Sequence, residues 1–275
     1  MYTGFFGLDE PPFRLTPDPR FFYQGGTHKR ALSYLVYGLS RREGFVVVTG
    51  EIGAGKTVLV DHLLAAGLAT DLLPARLTST RLGPEDVVYA AVGAFGLGDG
   101  PGGRTAALER LRAAIGGRAP VLIVDEAQAL SPDALEELRL LAEACRDGTA
   151  GLQVVLLGQP ALRDLLAGHA MEQLRQRVVA AAHLGALSRE ETRAYAEHRL
   201  RRAGWRDDPR IAPELFDVVH AEAGGVPRRI NALFDRVLLA GYLEEQHDLS
   251  GGLARAVADE MRREGLLAPL AYAGT

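Results

Sequence analysis

Unbroken apolar runs alternate along the chain with longer stretches in which apolar residues recur at spacings of three and four. The unbroken runs are Phe45-Val46-Val47-Val48-Thr49, Val121-Leu122-Ile123-Val124 and Leu152-Gln153-Val154-Val155-Leu156-Leu157. Short β-branched and aliphatic runs without polar alternation predict strands buried on both faces, the form a parallel sheet takes. Pro74-Ala75-Arg76-Leu77-Thr78 and Val178 to Leu184 predict two further, weaker strands. The helical spacing predicts helices from Thr27 through Leu39, Val58 to Ala69, Pro84 through Phe95, Ala106 to Ile115, Ser131 to about Arg146, and one holding Leu162, Leu165 and Leu166. Ser131-Pro132 opens its helix with proline at the first helical position, where the missing N–H is no loss. Strands alternating with helices predict an α/β fold: a parallel sheet with helices on both faces.

From Ser188 the pattern changes. Ser188 and Glu191 form a capping box that opens a helix through about Ala203, and further helices are predicted at about 213–223, 227–244 and 250–264. No strand is predicted after residue 185, so this part reads as a small all-helical domain. At the other end, residues 1–27 hold Phe5-Phe6-Gly7-Leu8, Pro11-Pro12-Phe13 and Pro17-Asp18-Pro19-Arg20-Phe21-Phe22-Tyr23. The prolines exclude helix interior, and the aromatics are too dense for a disordered tail. The reading is an extended arm packed across the next domain, with Phe22 and Tyr23 placed to cover a nucleotide base. The expected organisation is an arm at 1–27, an α/β nucleotide-binding domain at 28–187, a helical domain at 188–265 and a weakly ordered tail at 266–275. Gly96 to Gly103 reads as a linker loop.

The base-binding expectation follows from one stretch. Gly50-Glu51-Ile52-Gly53-Ala54-Gly55-Lys56-Thr57 is a complete G-x-x-x-x-G-K-T loop, set between a predicted strand and the helix that starts near Val58. The glycines let successive backbone N–H groups turn toward an anion, and the following helix adds its positive N-terminal end. Lys56 reaches the β- and γ-phosphates and the Thr57 hydroxyl takes a position on Mg²⁺. A second stretch completes the chemistry. The run Val121 to Val124 ends in Asp125-Glu126. Asp125 suits a Mg²⁺-binding role, and Glu126 suits a base that orients or deprotonates an attacking water. No Asn-Lys-x-Asp stretch for guanine is present, so the expected nucleotide is ATP.

Composition narrows the alternatives. A net charge of -4 and a pI of about 6.0 give no global signature for nucleic acid. A local basic cluster, Arg199, Arg201, Arg202 and Arg206 beside Trp205, is the exception. The single cysteine, Cys145, excludes an internal disulfide and reads as a small helix residue; the seven histidines show no metal-ligand spacing. No apolar run approaches the roughly 20 residues of a membrane span, and no signal peptide is visible. The expectation is a cytoplasmic protein.

The whole pattern resembles the AAA+ ATPases. It is similar to the ATPase domain of the general secretion pathway protein A type, and closer still to the shorter ATPase associated with exosortase and exopolysaccharide (PEP-CTERM) loci. The residues that carry this are Phe5 to Phe13, Leu15-Thr16-Pro17-Asp18-Pro19-Arg20-Phe21, Gly50-Glu51, Asp125-Glu126-Ala127-Gln128, Gly158-Gln159-Pro160 and Gly225-Val226-Pro227-Arg228-Arg229-Ile230-Asn231. The resemblance implies a P-loop NTPase sheet followed by a helical lid, with Gln159 in the sensor-1 place and Arg228 as sensor 2. It implies that Arg175 or Arg177 is the finger a neighbouring subunit inserts. It implies a ring-like homo-oligomer that serves envelope export or polysaccharide-synthesis proteins, attached to the inner membrane only peripherally through them. Two other functions compete: a DNA-associated adaptor of the transposition-helper or initiator type, carried by the basic cluster, and a switch that binds ATP with negligible hydrolysis. The acidic pI weighs against the first and Glu126 against the second.

Overall fold

The computed structural model describes residues 1–67, 72–78, 82–98, 103–115, 119–146 and 151–267. In chain order they form α1 (Tyr2–Phe5), α2 (Gly26–Ser40), β1 (Phe45–Gly50), α3 (Lys56–Ala65), β2 (Leu72–Leu77), α4 (Pro84–Ala94), α5 (Gly103–Ile115), β3 (Ala119–Val124), α6 (Pro132–Ala144), β4 (Gln153–Gly158), α7 (Ala161–Ala167), α8 (Glu172–Gln176), β5 (Val178–Leu184), α9 (Arg189–Arg202), β6 (Arg210–Ile211), α10 (Pro213–Ala223), α11 (Pro227–Leu243), β7 (Asp248–Leu249) and α12 (Gly251–Arg263). These elements divide into two compact units.

One unit holds Lys29–Gly50 and Leu59–Leu184. Its five strands are ordered β2-β3-β4-β1-β5 and pair in parallel throughout. Every residue of β1, β3 and β4 is buried, which is why these strands read as continuous apolar runs. Pro74 lies in β2, at the edge of the sheet, where proline is tolerated. Phe45 faces Val178 while Val46 faces Ala180, so Val179 is an extra residue that bulges β5. Phe45, Val47, Leu122, Val124, Val154 and Leu156 share a core with Val87, Val88, Ala91 and Val92 of α4 and Leu135 and Leu138 of α6. Cys145 is buried in the same core, and burial pushes its thiol up to about 11, which makes it unreactive. Because the pairing is parallel, β1, β3 and β4 all end along one edge of the sheet. Asp125, Glu126 and Gln159 leave from that edge, and the chain leaves β1 there to enter residues 51–57.

The other unit holds Met1–His28, Glu51–Val58 and the chain from Gly185 onward. Its core joins Phe6, Leu8 and Phe13 to Tyr195, Leu200, Leu215, Phe216, Leu233, Phe234 and Val237. The rings of Phe13 and Phe234 stack at 4.7 Å. The aromatics of the N-terminal stretch are therefore core residues of this unit. The Ser188 box is formed: Ser188 Oγ accepts the Glu191 N–H and Glu191 Oε2 accepts the Ser188 N–H.

Four sequence expectations need correction. The N-terminal stretch is not extended throughout, since Tyr2-Thr3-Gly4-Phe5, free of proline, closes into α1, and Pro19–Phe21 make a 3₁₀ turn capped by Asp18. The region after 185 is not wholly helical: β6 and β7 form a two-residue parallel pair, too short to leave any periodicity. α5 starts at Gly103 rather than Ala106. α3 ends at Ala65, and the continuation expected to Ala69 lies outside the described residues at its end, as do parts of the linker loop and most of the tail.

Candidate nucleotide site

The loop after β1 is shaped by two glycines in the left-handed region, Gly53 at φ +82° and Gly55 at φ +97°. Both are also crowded. A Cβ on Gly53 would stand 2.4 Å from Arg228 Cβ, and one on Gly55 would stand 3.2 Å from His28 Nε2. Only glycine satisfies both demands. The loop closes on itself through Ala54 N–H to Glu51 O at 3.1 Å, and Gly53 O accepts the Arg228 N–H at 3.2 Å. Arg228 is the second residue of α11, placed by Pro227 at the helix start, so the sensor-2 candidate packs its stem on the loop. Lys56 begins α3 and is buried, its ammonium donating to Glu51 O at 3.0 Å. Thr57 and Val58 follow in the first turn of α3, at the positive N-terminal end of the helix that favours an anion. Ile52 stands exposed at the loop tip.

His28 was not singled out by the sequence. Its Nε2 lies 3.0 Å from Ala54 O, in a buried position. Burial holds its pKa below the usual histidine value, so the ring is neutral and Nε2 carries the proton it donates to the carbonyl. It holds the loop between the two glycines. No motif marks it; a lone histidine early in a helix carries no spacing signal. Glu191 is the other unmarked tie: besides capping α9 it accepts the Gly26 N–H at 2.7 Å, two residues before His28.

The two base-covering candidates part company. The Phe22 ring meets His28 edge-on at 6.0 Å, one contact from the loop. Tyr23 turns to Tyr195 and His198 on α9 and lines a groove with Ala194, Glu197, Arg201 and Arg202.

The acidic residues form a second cluster. Asp125 continues from β3, its N–H donating to Leu77 O at 3.1 Å, and its Oδ1 accepts the Glu126 N–H at 3.0 Å. Glu126 has a left-handed backbone, φ 53° and ψ 38°, an unusual conformation for a residue with a side chain. Its Oε2 accepts two amide donors, Gln128 Nε2 at 2.6 Å and Gln159 Nε2 at 3.0 Å. Gln128 Oε1 in turn accepts the Gln159 N–H at 3.0 Å. Gln159, the sensor-1 candidate, is thus brought to Glu126, and Gln128 joins them.

The finger candidates differ in how they are held. Arg175 Nη1 donates to Leu166 O and Ala167 O at the end of α7, a capping role. Arg177 pairs with Glu143 at 3.5 Å and its side chain is 43% exposed. The basic cluster also loses a member. Arg199 is buried, donates to Pro12 O at 2.6 Å and lies over the Phe21 ring, while Arg201 pairs with Glu197 at 2.9 Å. Trp205 is bonded to Pro209 O. Arg199 is therefore part of the fold rather than of a nucleic-acid surface.

Among the described residues no group of three or more His, Cys, Asp or Glu could hold a metal by itself. Thr57 and Asp125, the residues expected to bind Mg²⁺, each offer the hard oxygen donor that this ion takes. Among the described residues no helix is long and apolar enough to cross a membrane.

The loop, the parallel sheet and the helical C-terminal region define a P-loop NTPase, and residues 39–166 match the family described as AAA domain. Over those residues the chain is similar to the AAA ATPases. It is 39% identical over 277 aligned positions to general secretion pathway protein A of Aeromonas hydrophila, a match that covers 96% of the chain and 50% of that protein. The chain thus spans about half the length of the curated relative it matches. Solved structures share the fold at low identity. Cdc6p from Pyrobaculum aerophilum has a TM-score of 0.70 at 14% identity, covering 94% of this chain and 70% of that one. The Aeropyrum pernix ORC2 protein has 0.65 at 18%, covering 86% and 67%. The Thermotoga maritima RuvB Holliday junction branch migration motor has 0.61 at 16%, covering 91% and 73%.

Proposed function

We propose that the chain binds Mg-ATP through residues 50–58 and hydrolyses it with Glu126 as the residue that orients and deprotonates water. It uses the cycle as a motor or switch for an envelope secretion or exopolysaccharide export system. The observation that supports hydrolysis over binding alone is the Glu126 carboxylate, held by two amides at the end of β3. The support for export is the likeness to general secretion pathway protein A.

In this mechanism the loop N–H groups and Lys56 hold the phosphates, and Phe22 covers the base. Thr57 and Asp125 would hold Mg²⁺, and the ion would supply positive charge against the phosphate oxygens. Glu126 aligns a water for in-line attack on the γ-phosphorus; the bond to the β–γ bridging oxygen breaks, ADP leaves with the electron pair, and Glu126 takes the proton from the water. Arg228 balances charge from the helical lid within the same chain. Arg177 is the cation a neighbouring copy supplies, Arg175 being engaged at the end of α7, and so the active form is a ring-like homo-oligomer. The chain itself stays cytoplasmic and reaches the inner membrane only through its partners.

The test is a nucleotide-binding and turnover assay on Lys56→Ala. Loss of both binding and hydrolysis is expected. A Lys56→Ala protein that binds Mg-ATP as tightly as wild type would remove the loop from the mechanism. For the export assignment, affinity capture with the tagged chain should recover envelope or polysaccharide-synthesis components; recovery of a transposase with DNA would favour an adaptor role.

A further inference from the structure

We propose that Gln128 is a positioning residue for hydrolysis, whose amide fixes the Glu126 carboxylate relative to the turn after β4. The proposal rests on Glu126 acting on water. Its geometry leaves no ambiguity about which end of the amide points where. The Gln159 backbone N–H is a donor only, so the group 3.0 Å away must be the Gln128 oxygen. The Gln128 nitrogen is therefore the end turned to Glu126 Oε2, at 2.6 Å, a short bond of the charge-assisted kind. Gln159 Nε2 lands on the same oxygen at 3.0 Å. One side chain thus ties the turn after β3 to the turn after β4 and aims the carboxylate at the same time.

Two further observations fit a built arrangement. Gly158 leaves the space the amide occupies: a Cβ there would stand 3.0 Å from Gln128 Oε1 and 2.7 Å from Leu162 Cδ2. Glu126 starts from a left-handed backbone, and its flexible side chain has no single direction unless something holds it. A base must sit within hydrogen-bond reach of its water, and a misplacement of about 1 Å costs on the order of a hundredfold in rate. Gln128 supplies the hold.

The experiment compares Gln128→Ala, Gln128→Glu and Glu126→Gln in the full chain, by steady-state ATP hydrolysis with Mg²⁺ and by binding of a fluorescent ATP analogue as a check on folding. Gln128→Glu separates the two roles of the side chain. It keeps an oxygen for the Gln159 N–H but replaces the donor by a second carboxylate facing Glu126. Both Gln128 variants should lose about 10–100-fold in kcat with KM for ATP changed by no more than about threefold. A Gln128→Glu protein at wild-type kcat would mean that the side chain only ties two turns together, and a loss carried by KM alone would also overturn the proposal. Should one of the two substitutions fail to fold, the other decides. An active Glu126→Gln protein would strike the reading of Glu126 itself; an inactive Glu126→Gln beside a fully active Gln128→Glu strikes the positioning role alone.

Discussion

Gly53→Ala should weaken nucleotide binding far more than a single methyl group ordinarily does. The residue stands at φ +82°, where a side chain costs roughly 1–2 kcal/mol. The added Cβ would meet Arg228 Cβ at 2.4 Å. Both atoms are fixed to backbone, so no rotamer relieves the overlap and the two backbones must part by about 1 Å, given ordinary carbon contacts near 3.5–4.0 Å. That parting breaks the Arg228 N–H bond to Gly53 O, now 3.2 Å. A backbone bond of this kind contributes about 0.5–1.5 kcal/mol. The free protein relaxes, and the distortion is opposed again when phosphate requires the original loop, so the total of roughly 1.5–3.5 kcal/mol appears as a loss of about 10–400-fold in affinity. Titration of a fluorescent ATP analogue measures this. Gly7→Ala is the control: it carries the same left-handed penalty, with φ +64°, but nothing lies within 4 Å of its Cβ. It should lower Tm and leave affinity unchanged. Gly53→Ala binding within about twofold of wild type would refute the claim that this glycine and Arg228 shape the loop.

Other outcomes follow from the same geometry. His28 is buried with its pKa depressed; the unfolded chain takes up that proton below about pH 6.5, so the stability this residue contributes is complete above that value and falls as pH drops through it toward the folded pKa. Tm measured from pH 7 to 5 should therefore fall less steeply for His28→Gln than for wild type, and parallel curves would remove His28 from the account. Arg177→Ala and Glu126→Gln subunits, each inactive alone, should regain partial hydrolysis when mixed, since a trans arginine is worth roughly 10³–10⁵ in rate in related chemistry. Activity flat across protein concentration, with Arg177→Ala unimpaired, would end the shared-site proposal. With Arg199 buried and Arg201 paired, duplex DNA should not be retained at physiological salt; retention lost in Arg201→Glu, Arg202→Glu protein would reopen the adaptor role.

Much of this molecule is legible in its residues, and the exceptions share a cause. β1, β3 and β4 declare themselves because burial on both faces leaves no polar position to interrupt the run. The loop from Gly50 to Thr57 is legible because its chemistry is local: the glycines, the lysine and the hydroxyl act within one turn of backbone. β6 and β7 are hidden because two residues carry no period. The arm's tertiary place is half legible. Its aromatic density signals burial, but only the folded chain shows Phe13 stacked on Phe234. His28 and Gln128 escape because their roles are contacts with backbone atoms distant in sequence, Ala54 O and Gln159 N. A carbonyl accepts from any donor in reach, so such ties leave no pattern of residue types. The basic cluster misleads for the opposite reason: Arg199 resembles its neighbours in composition and differs only in where the helix turns it.

The central claim is that Glu126 acts on water and is not needed to hold the nucleotide. A single-turnover experiment with γ-labelled ATP and Mg²⁺ tests it most directly, comparing wild type with Glu126→Gln under conditions where every nucleotide is bound. The account requires Glu126→Gln to retain intact ATP while wild type releases labelled phosphate. Release of phosphate by Glu126→Gln at the wild-type rate would contradict it.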